Sequence, residues 1–241
     1  MDIMTNNLAN ASTVGYKKEG STSQSFDDVL TVKIKDQSVG MRNVQRLGVK
    51  NPGVKIGENY TDYSQGSFRI TGNTYDLALS GEGFFAIEFT NKAGETDTKY
   101  TRAGQFTLNK DGYLVTEEGD YVLDTQNRRI RLNTLIDSSI TDDGTIYQNG
   151  QAVAKIQVTD FEDYDYLEKY GETYYQPIQG AKTIAAKAQV RSGYLEMANG
   201  QIVAEMVNLI SITRAYESNQ KVVQTIDDTL DVAVNQIGRV Q

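Results

Sequence analysis

Two stretches of the sequence carry residue types whose spacing could do chemistry. In TLNKDGYLVTEE, Thr107, Asn109, Asp111, Gly112 and Glu118 follow the spacing of a calcium-binding loop, in which alternate oxygens converge on one hard cation. In DFEDYDYLEKY, Asp160, Glu162, Asp163 and Asp165 could supply the paired carboxylates of a glycosidase. Both readings meet an objection. The first position of the calcium loop should be Asp and its flanks should be helices, whereas Thr107 stands there and the flanks alternate as strands, so a β-turn is the better account. Carboxylates as dense as those of 160–165 occur on many solvated loops. The chain has no His and no Cys, which removes the Ser-His-Asp and Cys-His nucleophile systems and the usual zinc ligand sets. No enzyme is expected, and no catalytic, cofactor-binding or metal-ligating residue.

Composition narrows the partners further. The net charge is −8 and the 24 Lys and Arg are scattered, whereas phosphate recognition needs a concentrated basic surface, so no nucleic-acid partner is expected. No stretch approaches the ~18 apolar residues of a membrane span. The start, MDIMTNNLAN, lacks the basic and apolar regions of a secretion signal. Neither membrane insertion nor a cleaved leader is expected, and no small-molecule substrate. Absence of Cys suits a chain that crosses between compartments without stray thiol chemistry.

The elements that must position these residues fall into three parts. Residues 1–25 open with Met4, Leu8 and Ala11 on one helical face, then run into a polar linker. That fragment is too short to stand alone, and its pattern is already under way at residue 1, as expected of a helix that begins upstream. Residues 26–195 read as a mainly β domain, an antiparallel sandwich or barrel-like fold. In TYDLALSGEGFFAIEF, Tyr75, Leu77 and Leu79 alternate, Ser80 to Gly83 turn the chain, and Phe85, Ile87 and Phe89 alternate again, which predicts a hairpin with one buried face. Turns are also predicted at 109–112, at 118–120 and at Asn149-Gly150, the last a two-residue hairpin loop.

Residues 196–241 form the third part, which reads as a long helix with no glycine between Gly200 and Gly238. Counting by sevens gives Ile202, Leu209, Tyr216, Val223, Leu230 and Ile237, an unbroken apolar column over roughly 52 Å of helix. A plain amphipathic face would drift off that count by ~20° per heptad. The second column, Glu205, Ile212, Asn219, Ile226 and Ala233, is only partly apolar, and Gly238 with Arg239 supplies a C-terminal stop. A β domain of this size has a radius of gyration of about 15 Å, so the helix would overhang it. The expected architecture therefore brings the N- and C-terminal helices together as a coiled-coil assembly region, with the β domain looped out between them.

Several segments resemble one family. NNLANASTVGYK, with Asn6, Asn7, Leu8, Ala9, Asn10, Gly15 and Tyr16, is similar to the N-terminal signature of the bacterial flagellar rod and hook proteins, and FDDVL to the short motif that follows it. TGNTYDLALSGEGFFAIE and YTRAGQFTLNKDGYLVTEEGDYVL resemble the family's β-domain signature. EMVNLISITRAYESNQKVVQTIDDTL resembles its C-terminal signature through Arg214, Ala215, Tyr216, Glu217 and Asn219. The resemblance implies a structural subunit of the flagellar basal body that polymerises, with copies of itself and neighbouring rod and hook proteins, into a helical axial tube for motility. It also implies export unfolded, without a cleaved signal. The family's N-terminal helix extends several turns further upstream, which suggests a trimmed N-terminus, and Val14 stands where Thr or Pro is more usual. The size favours a rod subunit over a hook subunit, and the C-terminal and β-domain motifs point to the distal rather than the proximal rod subgroup. A reading of a different class is a β-sheet binding module with a coiled-coil oligomeriser.

Overall fold

The computed structural model describes residues 1–27, 29–34, 44–51, 53–91 and 94–237, the backbone alone at 29–34, 44–48, 50 and 236–237. The chain forms two compact units, Glu19–Asp62 and a larger one made of Met1–Lys18 with Tyr63–Gln241. Both chain ends thus belong to the unit that holds the main β domain, and the excursion between them begins earlier than the 25/26 boundary read from composition.

The smaller unit is a β ribbon. Glu19–Ser25 pairs antiparallel with Val54–Thr61, with a register shift between Ser21 and Ser23, and Val29–Ile34 pairs with Val44–Lys50. Its apolar residues Val49, Val54 and Ile56 are exposed.

The larger unit is antiparallel throughout among the described strands. Its main sheet runs in the order Leu167–Tyr170, Tyr174–Pro177, Thr96–Thr101, Phe84–Thr90, Tyr121–Val122, Leu114–Thr116, Phe106–Leu108, with Val158–Phe161 also paired to Phe84–Thr90 and Thr183–Ala185 paired beyond it. The run FFAI places apolar side chains on both faces of its strand, because successive residues point to opposite sides. Phe85 joins a core with Leu77, Phe106, Leu114 and Ile146, and Phe84 and Ala86 join a second core with Tyr100, Phe161 and Tyr175.

That two-sided burial corrects the expected hairpin at 75–89. Leu77–Ser80 pairs with Gln189–Ser192, while Phe84–Thr90 pairs with Thr96–Thr101, so the two strands lie in different sheets. Neither has a single buried face: Leu77, Ala78 and Leu79 are all buried, as are Phe84 to Ile87. The other turns fall where expected. Phe106–Leu108 and Leu114–Thr116 pair across residues 109–112, with Gly112 at φ +81°. Thr145–Gln148 and Gln151–Lys155 pair across Asn149 and Gly150, whose φ values of +50° and +75° are those of a type I′ turn.

Two helices complete this unit. α1 spans Asp2–Ala9 and α2 spans Ile202–Val232, followed by a π-helical turn over Ala233–Ile237. α1 lies against α2. None of the residues of α2 is buried. The predicted stop at Gly238 and Arg239 lies outside the described residues.

Candidate assembly site

The site is a joint where both chain ends meet the β domain, and its geometry starts from a glycine. Gly15 has φ +70°, and a Cβ there would lie 2.3 Å from the Ala103 backbone nitrogen, so no side chain fits. The close approach lets the Gly15 amide donate to the Glu196 carbonyl at 2.8 Å. Tyr16 is thereby turned inward, and its ring is buried. Its hydroxyl points back at α1, 3.0 Å from Asn7 Oδ1 and 3.2 Å from Asn6 Oδ1.

Lys17 is buried as well. Its Nζ donates to Glu196 Oε1 at 2.6 Å and to the Ser64 carbonyl at 2.7 Å. The same carboxylate accepts from the Gly66 amide at 2.9 Å, and Arg102 Nη1 approaches its other oxygen at 3.4 Å. Lys17 and Glu196 are 1% and 0% exposed, so the charges compensate one another out of water, and removing either partner would strand the other. One residue further, the Lys18 amide donates to Asn199 Oδ1 at 2.8 Å, and the Asn199 amide group reaches Ser64 Oγ at 3.1 Å. α2 begins immediately beyond this joint.

The N-terminal motif residues are therefore brought together. Asn10 closes α1, its side chain donating to Asn6 Oδ1 at 2.7 Å and accepting from Thr13 Oγ1 at 3.2 Å. Leu8 is half-buried and Ala9 exposed. The C-terminal motif is arranged differently. Ile202, Tyr216, Val223 and Leu230 are 44%, 64%, 58% and 57% exposed, and Leu209 is half-buried. Arg214, Ala215, Glu217 and Asn219 are exposed on the same helix, and the side chain of Ile237 lies outside the described residues. Sequence reading missed Lys17, Arg102 and Glu196 as a cluster. No periodicity marks a lone charge in a strand, such as Glu196, or one just outside a strand, such as Lys17 or Arg102, as buried, and the partners lie far apart in the chain.

The residues first considered for chemistry have structural employment. Asn109 Oδ1 accepts from the amides of Asp111 and Tyr113, bracing the hairpin turn. Asp160 accepts from its neighbour's amide and from the Tyr164 hydroxyl at 2.7 Å. Burial, with that carboxylate beside it, pushes the Tyr164 hydroxyl well above the usual phenol range. Asp163 caps a short 3-10 turn by accepting from the Asp165 amide, and Glu162 pairs with Lys182 at the surface. Among the described residues no cluster of His, Cys, Asp and Glu could hold a metal ion, and no helix is long and apolar enough to cross a membrane.

A β domain that gathers the segments beside both helices into one buried joint and carries a long, largely exposed helix is the frame of a structural protein. Comparison with known families agrees along the chain. Residues 1–17 match the flagella basal body rod protein family, 78–150 the D1 domain of flagellar hook protein FlgE/F/G, and 191–237 the C-terminal region of flagellar basal body rod FlgEFG proteins. Flagellar basal-body rod protein FlgG of Bacillus subtilis is 33% identical, the alignment covering 98% of this chain and 92% of the relative. The FlgF rod protein of Caulobacter vibrioides is 32% identical over 100% of this chain and 92% of its own length. The chain belongs to the flagellar basal-body rod protein family, whose members are structural proteins of the flagellar basal body.

Proposed function

We propose that the chain polymerises into the rod through its terminal helices, with α1 and α2 packing against those of neighbouring copies and of adjoining rod and hook proteins, and the β domain outside them. The observation that carries this reading is the apolar column of α2, left uncovered while its base is anchored in a buried joint. Covering each of Leu209, Val223 and Leu230 between subunits is worth roughly 1.5–3 kcal/mol, repeated at every subunit of a tube. The absence of Cys in this sequence suits export as an unfolded chain, which forms no stray disulfides on the way. The FlgG and FlgF relatives match at nearly equal identity, so the distal-rod reading rests on the C-terminal and β-domain motifs alone.

Because this sequence has no Cys, cross-linking through an introduced one gives a clean test. Val223→Cys in assembled basal bodies should yield disulfide-linked or bifunctionally linked species containing more than one subunit. A Cys on the exposed β turn at Asn149 should not link through the helix seam. Equal linking from both positions, or none from Val223→Cys, would refute the assembly role of the column.

A further inference from the structure

We infer that the hairpin 167–177 is the positioning element for α1, with Lys169 and Glu172 setting the direction in which that helix leaves the β domain. The inference rests on the proposed role of α1 in assembly and goes beyond it by naming what aims the helix.

The hairpin is itself firmly held. Its strands pair from Leu167 with Pro177 to Tyr170 with Tyr174, and the second strand continues onto Thr96–Thr101 of the main sheet. Thr101 Oγ1 donates to the Thr173 carbonyl at 2.9 Å, the Tyr174 hydroxyl donates to Asp120 Oδ2 at 2.9 Å, and Tyr175 is fully buried. Two side chains reach from this base to the N-terminal motif. Lys169 Nζ lies 4.3 Å from the centre of the Tyr16 ring, a cation–π contact, and Glu172 Oε2 accepts from Asn10 Nδ2 at 2.6 Å.

Both contacts continue into α1, and they converge on Asn6, whose Oδ1 the Tyr16 hydroxyl also reaches at 3.2 Å. From Lys169 the path passes through Tyr16, whose hydroxyl meets Asn7; from Glu172 it passes through Asn10, whose amide meets Asn6. Asn6 and Asn7 are neighbours that point in directions about 100° apart on a helix, so holding both fixes rotation about the axis as well as tilt. α1 also lies against α2, and the hairpin contacts fix the last turn, where the helix joins the β domain.

The test uses the full chain with Lys169→Ala and Glu172→Ala combined, and Glu172→Gln alone, which keeps an acceptor oxygen for Asn10. In the double variant, amide exchange at residues 5–10 should quicken about fivefold to tenfold, while exchange in Phe84–Thr90 stays unchanged. Swimming should be lost or sharply reduced when this variant replaces the parent gene. Glu172→Gln should retain parent-like exchange and swimming, because its remaining acceptor oxygen still holds Asn10. Unchanged exchange at 5–10 in the double variant overturns the positioning role, and so does an equal rise throughout Phe84–Thr90. Faster exchange at 5–10 with parent-like swimming leaves the hairpin contact standing and refutes instead the reading of α1 as an assembly element.

Discussion

Lys17 Nζ and Glu196 Oε1 meet at 2.6 Å across 179 positions of sequence, both shielded from solvent. The pair ties the segment leaving α1 to the strand leading into α2, so the two helices start from one fixed base. A buried ion pair is weak evidence for stability by itself, because desolvation offsets much of the attraction. Its value here is geometric: one carboxylate holds Lys17, the Gly66 amide and Arg102 together.

Glu196→Gln tests the joint. The shape is kept, but the Lys17 ammonium is left buried without a counter-charge, which should cost about 3–5 kcal/mol. For a chain of this size the thermal midpoint should fall by roughly 6–20 °C. A midpoint within ~2 °C of the parent would show that the joint is open to water in solution.

Gly15→Ala tests the backbone geometry. The positive φ alone costs a non-glycine residue about 1–2 kcal/mol, and the new Cβ would press on the Ala103 backbone. The urea midpoint should drop by more than the φ penalty alone implies. A change under ~0.5 kcal/mol would show that residues 13–16 relax freely.

Leu230→Asp separates assembly from folding. Leu230 is 57% exposed, so the variant's thermal midpoint should stay at the parent value, the cost to folding lying within ~0.5 kcal/mol. Between subunits the same charge would enter an apolar seam at a penalty of several kcal/mol. Cells carrying it should therefore not swim. A large fall in the midpoint would mean the helix packs on its own β domain, and normal swimming would mean the column is no seam.

Acid should reveal the Glu88–Arg129 pair. Hydrogen bonds from Arg129 Nε at 3.1 Å and Nη2 at 2.5 Å hold the Glu88 carboxyl below its ordinary value of 4.5. A lowered folded-state value means the stabilisation is present above pH 4.5 and lost as pH falls through the lowered value. Arg129 is 44% exposed, so screening limits the contribution to ~0.2–1 kcal/mol. Arg129→Gln should lose that amount at neutral pH and match the parent in strong acid. A difference that persists at pH 2, measured by urea unfolding, would assign the effect to packing of Arg129 on the Tyr121 ring instead.

The residue order by itself determined the local features and the family. Asn149-Gly150 turns the chain because both residues tolerate positive φ, and Asn109 braces its own turn through neighbours two and four positions on. The seven-residue column of α2 is legible for the same reason: helical phase depends only on nearby spacing. What covers a face is a different matter. Leu77–Ser80 and Phe84–Thr90 look like partners because they adjoin in sequence, yet Leu77–Ser80 pairs with Gln189–Ser192 and Phe84–Thr90 with Thr96–Thr101. Lys17 and Glu196 look like ordinary surface charges until tertiary structure removes them from water together. The tertiary structure decided these pairings because burial of area and charge compensation act through space, and no pattern of neighbouring residues records which distant surface will close over them.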